Sequence, residues 1–202
     1  MEKKYTTIIS DLGGVFLNRG IWLFWDYLQS EYKIPVEITK NAFLKNYKQY
    51  FSGQISEEDF WRDFKKETNL TDDWYLLREK LLNLFEINKD IAVLYTELRK
   101  KGFKTVLLSD QSKEWWPILD EKYKISSYFD TVVVSAIIGI HKPNPEIYKY
   151  ALDKSESKPE KCIFIDDLAD NLISAKELGI ETILFENSKQ IKKELQKRID
   201  IQ

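Results

Sequence analysis

The feature of this 202-residue sequence that most restricts its fold is a series of short, β-branched apolar runs that lead into polar side chains. Tyr5 to Ser10 runs into Asp11, Thr105 to Leu108 into Ser109 and Asp110, and Cys162 to Ile165 into Asp166 and Asp167. Thr131 to Val134 leads through a short loop to Lys142, and Glu181 to Phe185 makes a further run. Apolar on both faces, such runs predict strands of a parallel sheet covered from each side. The stretches between them keep helical spacing. Ile91, Leu94, Tyr95 and Leu98 follow an i, i+3, i+4, i+7 pattern, with Gly102 as a stop beyond them. Asn144 and Pro145 offer an N-cap and a first-turn proline to a helix carrying Ile147, Tyr148 and Leu152, while Ile191, Leu195 and Ile199 stripe a final helix. Strands alternating with helices in this way predict right-handed crossovers and an α/β fold around a doubly wound parallel sheet.

A different texture fills the segment 17–88, which shows no convincing strand. It is helical and aromatic, as in "IWLFWDYLQSEY", "ISEEDFWRDFKKE" and "DDWYLLREKLLNLF". Ser56 and Asp59 make a capping box ahead of Phe60, Trp61 and Phe64, and Trp74, Leu77, Leu81, Leu84 and Phe85 mark a buried face. The expected organisation is a sheet domain built from residues 1–16 and 89–202, interrupted at 17–88 by an insertion of about four helices. Short hinges are expected near residues 17 and 88. Most of the aromatic side chains suit core packing, and some suit the lining of a pocket.

Composition removes several classes of function. A formal charge of −2 provides no field for holding nucleic acid phosphates. Cys162 is the only cysteine and His141 the only histidine, which excludes an intramolecular disulfide and a zinc site of Cys/His type. No apolar stretch reaches the length of a membrane span, and the segment after Met1 is broken too early by Asp11 to read as a signal peptide. The expectation is a cytoplasmic protein with no nucleic acid or membrane partner. Cys162 itself reads as a small buried hydrophobe at the start of a strand.

In a parallel sheet the carboxyl ends of the strands share one edge, where such folds build their sites. Asp11, Ser109 with Asp110, Lys142, and Asp166 with Asp167 are therefore predicted to converge. Clustered carboxylates repel one another unless a cation sits among them, and oxygen donors without His or Cys favour Mg²⁺. The Ser109 hydroxyl and Lys142 ammonium suit the oxygens of an anion. A carboxylate nucleophile, Mg²⁺, a hydroxyl donor and a lysine together describe phosphoryl transfer. Singly, each residue has an ordinary reading as a loop cap or solvated surface group; the joint pattern at four strand ends does not.

The segments "IISDLGGVFLN", "TVLLSDQS", "GIHKPNPEIY" and "CIFIDDLADNLISAKELGI" resemble, in order and spacing, the haloacid dehalogenase-like superfamily. Within it the chain is similar to the C1-capped subfamily I that includes α-D-glucose-1-phosphate phosphatase-like members. The resemblance implies a Rossmann-like core with an α-helical cap at the insertion. It implies that Asp11 attacks phosphorus and becomes an aspartyl-phosphate. It further implies that Mg²⁺ is held by Asp11, the Gly13 carbonyl and Asp167, with Asp166 ligating directly or through water. Ser109 and Lys142 would bind the transferring phosphate, and Asn171 would orient Asp167 from behind or else face solvent. Asp110, Asn18 and Arg19 are candidate substrate contacts, and Trp22 and Trp25 candidate specificity residues.

One departure bears on chemistry. Most phosphatases of the superfamily carry aspartate where Gly13 stands, and that group protonates the leaving oxygen. General acid assistance is typically worth about 10²–10⁴-fold, so its loss favours acidic leaving groups: a sugar 1-phosphate, an acyl phosphate or an aryl phosphate. Asp110, at a position where the family commonly has asparagine, would either donate the missing proton or cap a loop. His141 would either contact substrate or sit on the surface. The expected substrate is a small phosphorylated metabolite, handled by a monomer or weak homodimer. Dehalogenase-like or phosphonate-cleaving chemistry and catalytically silent binding of a phospho-ligand are the alternatives.

Overall fold

The structure, a computed structural model, describes residues 4–199. Strand β1 (Thr7–Ser10) is followed by α1 (Gly20–Tyr32), α2 (Val36–Lys45), α3 (Tyr47–Phe51), α4 (Glu57–Thr68) and α5 (Trp74–Asn83). The chain then returns through α6 (Lys89–Lys100), β2 (Lys104–Ser109), α7 (Trp115–Tyr123), β3 (Thr131–Val134), α8 (Ser135–Ile138) and α9 (Pro145–Lys154). It ends with β4 (Cys162–Asp166), α10 (Ala169–Glu177), β5 (Glu181–Leu184) and α11 (Ser188–Gln196). All strand pairs are parallel, in the order β3-β2-β1-β4-β5. The chain thus starts at the middle of the sheet, steps outward twice, then crosses to the other side of β1.

Both faces of the sheet are covered, which explains why the strands lack polar alternation. Ile8, Leu107, Ile163 and Ile165 pack into one cluster with α6, α7, α11 and the inserted helices. Their chain neighbours Ile9, Val106, Leu108 and Phe164 point the other way, into a cluster with Ile147, Tyr148 and Ala151 of α9 and Ala175 of α10. The predicted caps form as well. The Ser56 hydroxyl accepts from the Asp59 N–H at 3.1 Å, and the Asn144 side chain accepts from the Glu146 N–H at 3.0 Å.

Three details differ from the sequence expectation. The insertion holds five helices rather than four, because Asn46, with φ −114° and ψ 10°, breaks one helical run into α2 and the short α3. The loop after β3 contains the single turn α8, ended by Gly139 in the left-handed region at φ 76°. Helix α7 was not marked by periodicity: Pro117 in its first turn and an indole pair at its start obscure the stripe, although Trp115 and Leu119 are buried.

The inserted helices meet the sheet domain along two seams. At the hinge the two connections run side by side, with the Asn18 N–H donating to the Glu86 carbonyl and the Asn88 N–H to the Phe16 carbonyl, each at 2.9 Å. Farther along, Trp115 of α7 enters an aromatic cluster with Tyr50, Phe51, Phe60 and Trp61, its ring centroid 5.4 Å from that of Tyr50 and 5.5 Å from that of Phe51. The buried Glu57 carboxylate serves this cluster. It accepts from the Trp115 indole at 2.6 Å, the Trp61 indole at 3.3 Å and the Arg78 guanidinium at 3.1 Å. Replacing Glu57 by Ala strands two buried indole donors, so the expected loss of stability is about 3 kcal/mol, with Glu57→Gln losing less because it keeps an acceptor. Urea unfolding of the two variants checks this; equal losses would show that the carboxylate acts by charge alone.

Candidate active site

Because β1 and β4 are adjacent and in register, Ser10 beside Ile165, their ends deliver Asp11 and Asp166 to the same point of the sheet edge. The Asp11 N–H donates to the Ile165 carbonyl at 2.9 Å, continuing the ladder by one residue. Lys142 arrives from the other side, on the segment after α8. Its Nζ donates to Asp11 Oδ1 at 2.6 Å and to Asp166 Oδ2 at 2.7 Å, and all three side chains are buried. Three further contacts fix the cluster. Asp166 accepts from the Leu168 N–H at 2.8 Å and from the Asn171 amide at 3.0 and 3.1 Å, while Asp110 Oδ1 accepts from the backbone N–H of Lys142 at 3.0 Å.

Asn171 is buried and bonds to Asp166, which corrects the expectation that it would orient Asp167 or face solvent. Asp167 is held instead by Arg19, whose Nε donates to Oδ2 at 2.8 Å. The same guanidinium lies 4.2 Å from the Trp22 ring centroid, so Arg19, although its side chain is 41% exposed, is paired with Asp167 through Nε rather than simply solvated. Asn18 lines the cavity, yet its amide donates to the Leu84 carbonyl at 3.0 Å and accepts from the Glu86 N–H at 3.1 Å. Its side chain is spent on the hinge, which corrects its reading as a substrate contact. His141 does not line the cavity; its Nδ1 sits 2.6 Å from the Lys142 carbonyl oxygen.

Asp11, Asp166 and Asp167 each place a carboxylate oxygen within 4.8 Å of the others. The donor set, all oxygen and lacking His or Cys, fits a hard divalent cation such as Mg²⁺. Gly14 makes room for the Asp167 carboxylate. With φ 86°, it sits so close to Asp167 that a Cβ there would lie 2.1 Å from Oδ2. Electrostatics agree with the shape. Burial pushes the Asp11 carboxyl well above the usual carboxylate range; Lys142 pulls it back, and Asp166 and Asp167 add to the rise. Burial and then Asp166 likewise raise Asp167 against the pull of Arg19. Burial alone would lower Lys142, but Asp11, Asp166 and Asp110 hold it well above the ordinary lysine value. The lysine is therefore a fixed cation in a site with excess negative charge.

The cluster forms the floor of a cavity of about 250 Å³. Ser109, Asp110 and Gln111 at the end of β2 line it, as do Leu12 and Gly13. Burial raises the Asp110 carboxyl despite Lys142. The insertion contributes Trp22 and Trp25, which the sequence singled out, together with Ile21, Phe43, Leu44 and Tyr47, which it did not. These missed residues carry no separable signal, because an aromatic stripe on an inserted helix looks the same whether it packs a core or walls a pocket.

Comparison with known proteins accords with this geometry. The haloacid dehalogenase-like hydrolase family matches over residues 5–179, and the chain belongs to that family. A stretch of 115 residues, 55% of the chain and 21% of the relative, is 33% identical to bifunctional epoxide hydrolase 2 of Rattus norvegicus. Another, of 102 residues, is 32% identical to glyceraldehyde 3-phosphate phosphatase of Pyrococcus furiosus, covering 49% of the chain and 42% of that enzyme. These matches thus span less than half the length of either relative. A HAD family enzyme of Bacteroides thetaiotaomicron, solved with magnesium and inorganic phosphate, superposes with a TM-score of 0.70 at 23% identity, over 90% of this chain and 94% of that one. No helix among the described residues is long and apolar enough to cross a membrane.

Replacing Lys142 by Met leaves two buried carboxylates facing each other without a cation, at an expected loss of about 3 kcal/mol at neutral pH. Without the lysine the raised pKa of Asp11 rises further. A group whose folded pKa is raised stabilises the fold below that pKa, so the deficit shrinks as pH falls. Denaturant midpoints of native and variant protein at neutral and mildly acidic pH test this; a deficit independent of pH would contradict it.

Proposed function

We propose that the chain is a Mg²⁺-dependent phosphatase of small phosphate monoesters that works through an aspartyl-phosphate on Asp11. The observation that carries the reading is Lys142, a buried ammonium bonded to Asp11 and Asp166 beside Asp167, at the floor of the cavity. In this reading the cation is held by Asp11, Asp167 and the Gly13 carbonyl, with Asp166 behind, and it would supply charge neutralisation to phosphate oxygens.

Each protein group then has a defined task. Lys142 orients the Asp11 carboxylate and balances charge on the transferring group, as a preorganised cation in a dry site does. Ser109 donates its hydroxyl to a phosphate oxygen. Asn171 and the Leu168 N–H keep Asp166 from turning, and Asp110 fastens the backbone that carries Lys142. Asp11 displaces the leaving oxygen, and water attack at phosphorus then releases phosphate and regenerates the carboxylate. The helices of 17–88 act as a cap over the cavity, excluding water during transfer.

Phosphate release from sugar 1-phosphates, an acyl phosphate, an aryl phosphate and an alkyl phosphate, with Mg²⁺ or chelator, is the direct test. Release should need Mg²⁺ and vanish in Asp11→Asn; release that survives this substitution would refute the nucleophile.

Gly13 allows a sharper experiment. A Cβ at this position would meet nothing within 4 Å, so the missing acid is not imposed by crowding. Introducing it as Gly13→Asp should raise alkyl phosphate turnover by at least about tenfold while changing the rate for acidic leaving groups little, since general acids assist poor leaving groups most. Equal effects on both would show that leaving-group acidity does not govern this site.

A further inference from the structure

We infer that the phosphate esters this site accepts are those of single-ring phenols. The inference rests on the phosphatase reading above and names its leaving group. Three features of the cavity lead to it.

The first is the wall supplied by the insertion: Ile21, Trp22, Trp25, Phe43, Leu44 and Tyr47, all apolar or aromatic. Trp22 and Trp25 stack with centroids 6.2 Å apart and planes inclined by 16°, and the Arg19 guanidinium lies against the Trp22 ring. Such a wall favours a ring over a chain of hydroxyls.

The second is what the polar side chains on that side already do. The Asn18 amide is bonded at both ends to the hinge backbone, and Arg19 is bonded to Asp167. From the inserted helices there remain, among the described residues lining the cavity, the Tyr47 hydroxyl, the Arg19 Nη groups and the indole N–H groups of Trp22 and Trp25, the last of them buried without an acceptor. Of these only the Tyr47 hydroxyl accepts as well as donates, so the hydroxyl donors of a hexose go largely unmet there, and a hydroxyl stripped of water without a new partner opposes binding. An aromatic ring makes no such demand.

The third is size combined with leaving-group chemistry. An apolar cavity of about 150 Å³ holds one benzene ring. The cavity here, about 250 Å³, thus takes one ring with its phosphate and leaves little for a fused ring system. A phenol ionises near pH ~10, far below an alkanol, so its oxygen departs without a proton donor at Gly13. In the step itself, an Asp11 oxygen bonds to phosphorus as the phosphorus–oxygen bond to the ring breaks. The phenolate leaves with the electron pair and takes its proton from water. Hydrolysis of the aspartyl-phosphate restores Asp11 and releases inorganic phosphate.

Two measurements on the full chain with Mg²⁺ decide the matter. In calorimetric titrations, phenylphosphonate should bind at least about tenfold more tightly than inorganic phosphate, the affinity that burying one ring provides. Cyclohexylphosphonate should bind about threefold to tenfold less tightly than phenylphosphonate, because it lacks ring stacking. Trp22→Ala, and Trp22→Leu as a gentler variant, should abolish the preference for phenyl, read as the ratio of phenylphosphonate to inorganic phosphate affinity in the same variant; Trp22 is 47% exposed, so neither change opens the core. In turnover, kcat/KM for phenyl phosphate should exceed that for glucose 1-phosphate and for a tyrosine-phosphorylated peptide. A faster glucose 1-phosphate reaction, or phenylphosphonate binding no tighter than phosphate, would overturn the inference. A faster peptide reaction would overturn its restriction to small esters. Should no ester turn over while phenylphosphonate still binds selectively, the phosphatase reading fails and the ring pocket stands.

Discussion

A buried ammonium between two buried carboxylates sets the terms for this end of the molecule. The sheet order places β1 at the centre with β4 beside it; β1 runs directly into Asp11, and β4 ends on Asp166. Left to themselves, Asp11 and Asp166 would repel across a short gap in a dry environment, where charge interactions are strong. Lys142, at 2.6 and 2.7 Å, turns that repulsion into a hydrogen-bonded triad. Much of the neighbouring polar structure serves it. Asp110 holds the backbone of the lysine, Asn171 and the Leu168 N–H hold Asp166, and Gly14 gives Asp167 its place beside them. Buried ion clusters of this kind are poor sources of stability and good sources of fixed geometry.

Over this polar floor the insertion lays a wall of opposite character. Its aromatic residues do two jobs with one chemistry. Phe43, Tyr50, Phe51, Phe60 and Trp61 pack with Trp115 of α7 and bind the insertion to the sheet domain through a shared core. Trp22, Trp25 and Tyr47 continue the aromatic surface to the cavity. Glu57 is the polar exception inside the cluster, and its three donors account for its burial. The result is a site divided in two: charged where a phosphate would sit, apolar where its organic portion would lie.

The strands and the convergence of their ends were legible in the sequence because both depend on short-range pattern. A run such as Cys162 to Ile165 followed by Asp166-Asp167 fixes strand and strand end together, and the parallel topology then brings such ends to one edge. The contacts of Arg19, Asn18 and Asn171 were not legible. They depend on which side-chain atom lies nearest across 148 residues of chain for Arg19 and Asp167, or 66 for Asn18 and Leu84, and no local pattern encodes that. The same holds for Tyr47. Its helix α3 is only five residues long, and the ring lines the cavity with Asp11 and Asp110, where burial followed by the Asp110 charge raises its phenol. Helix α7 went unmarked because Pro117 and adjacent tryptophans mask its periodicity.

The proposed function turns on Asp11 as the group that would take the phosphoryl moiety. Rapid acid quenching during turnover of an aryl phosphate, followed by mass mapping of the peptides, tests this most directly. The expected result is a phosphoryl group on the peptide containing Asp11, present with Mg²⁺ and absent with chelator. Steady turnover with phosphate captured on another residue, or with none captured at any quench time, would contradict it.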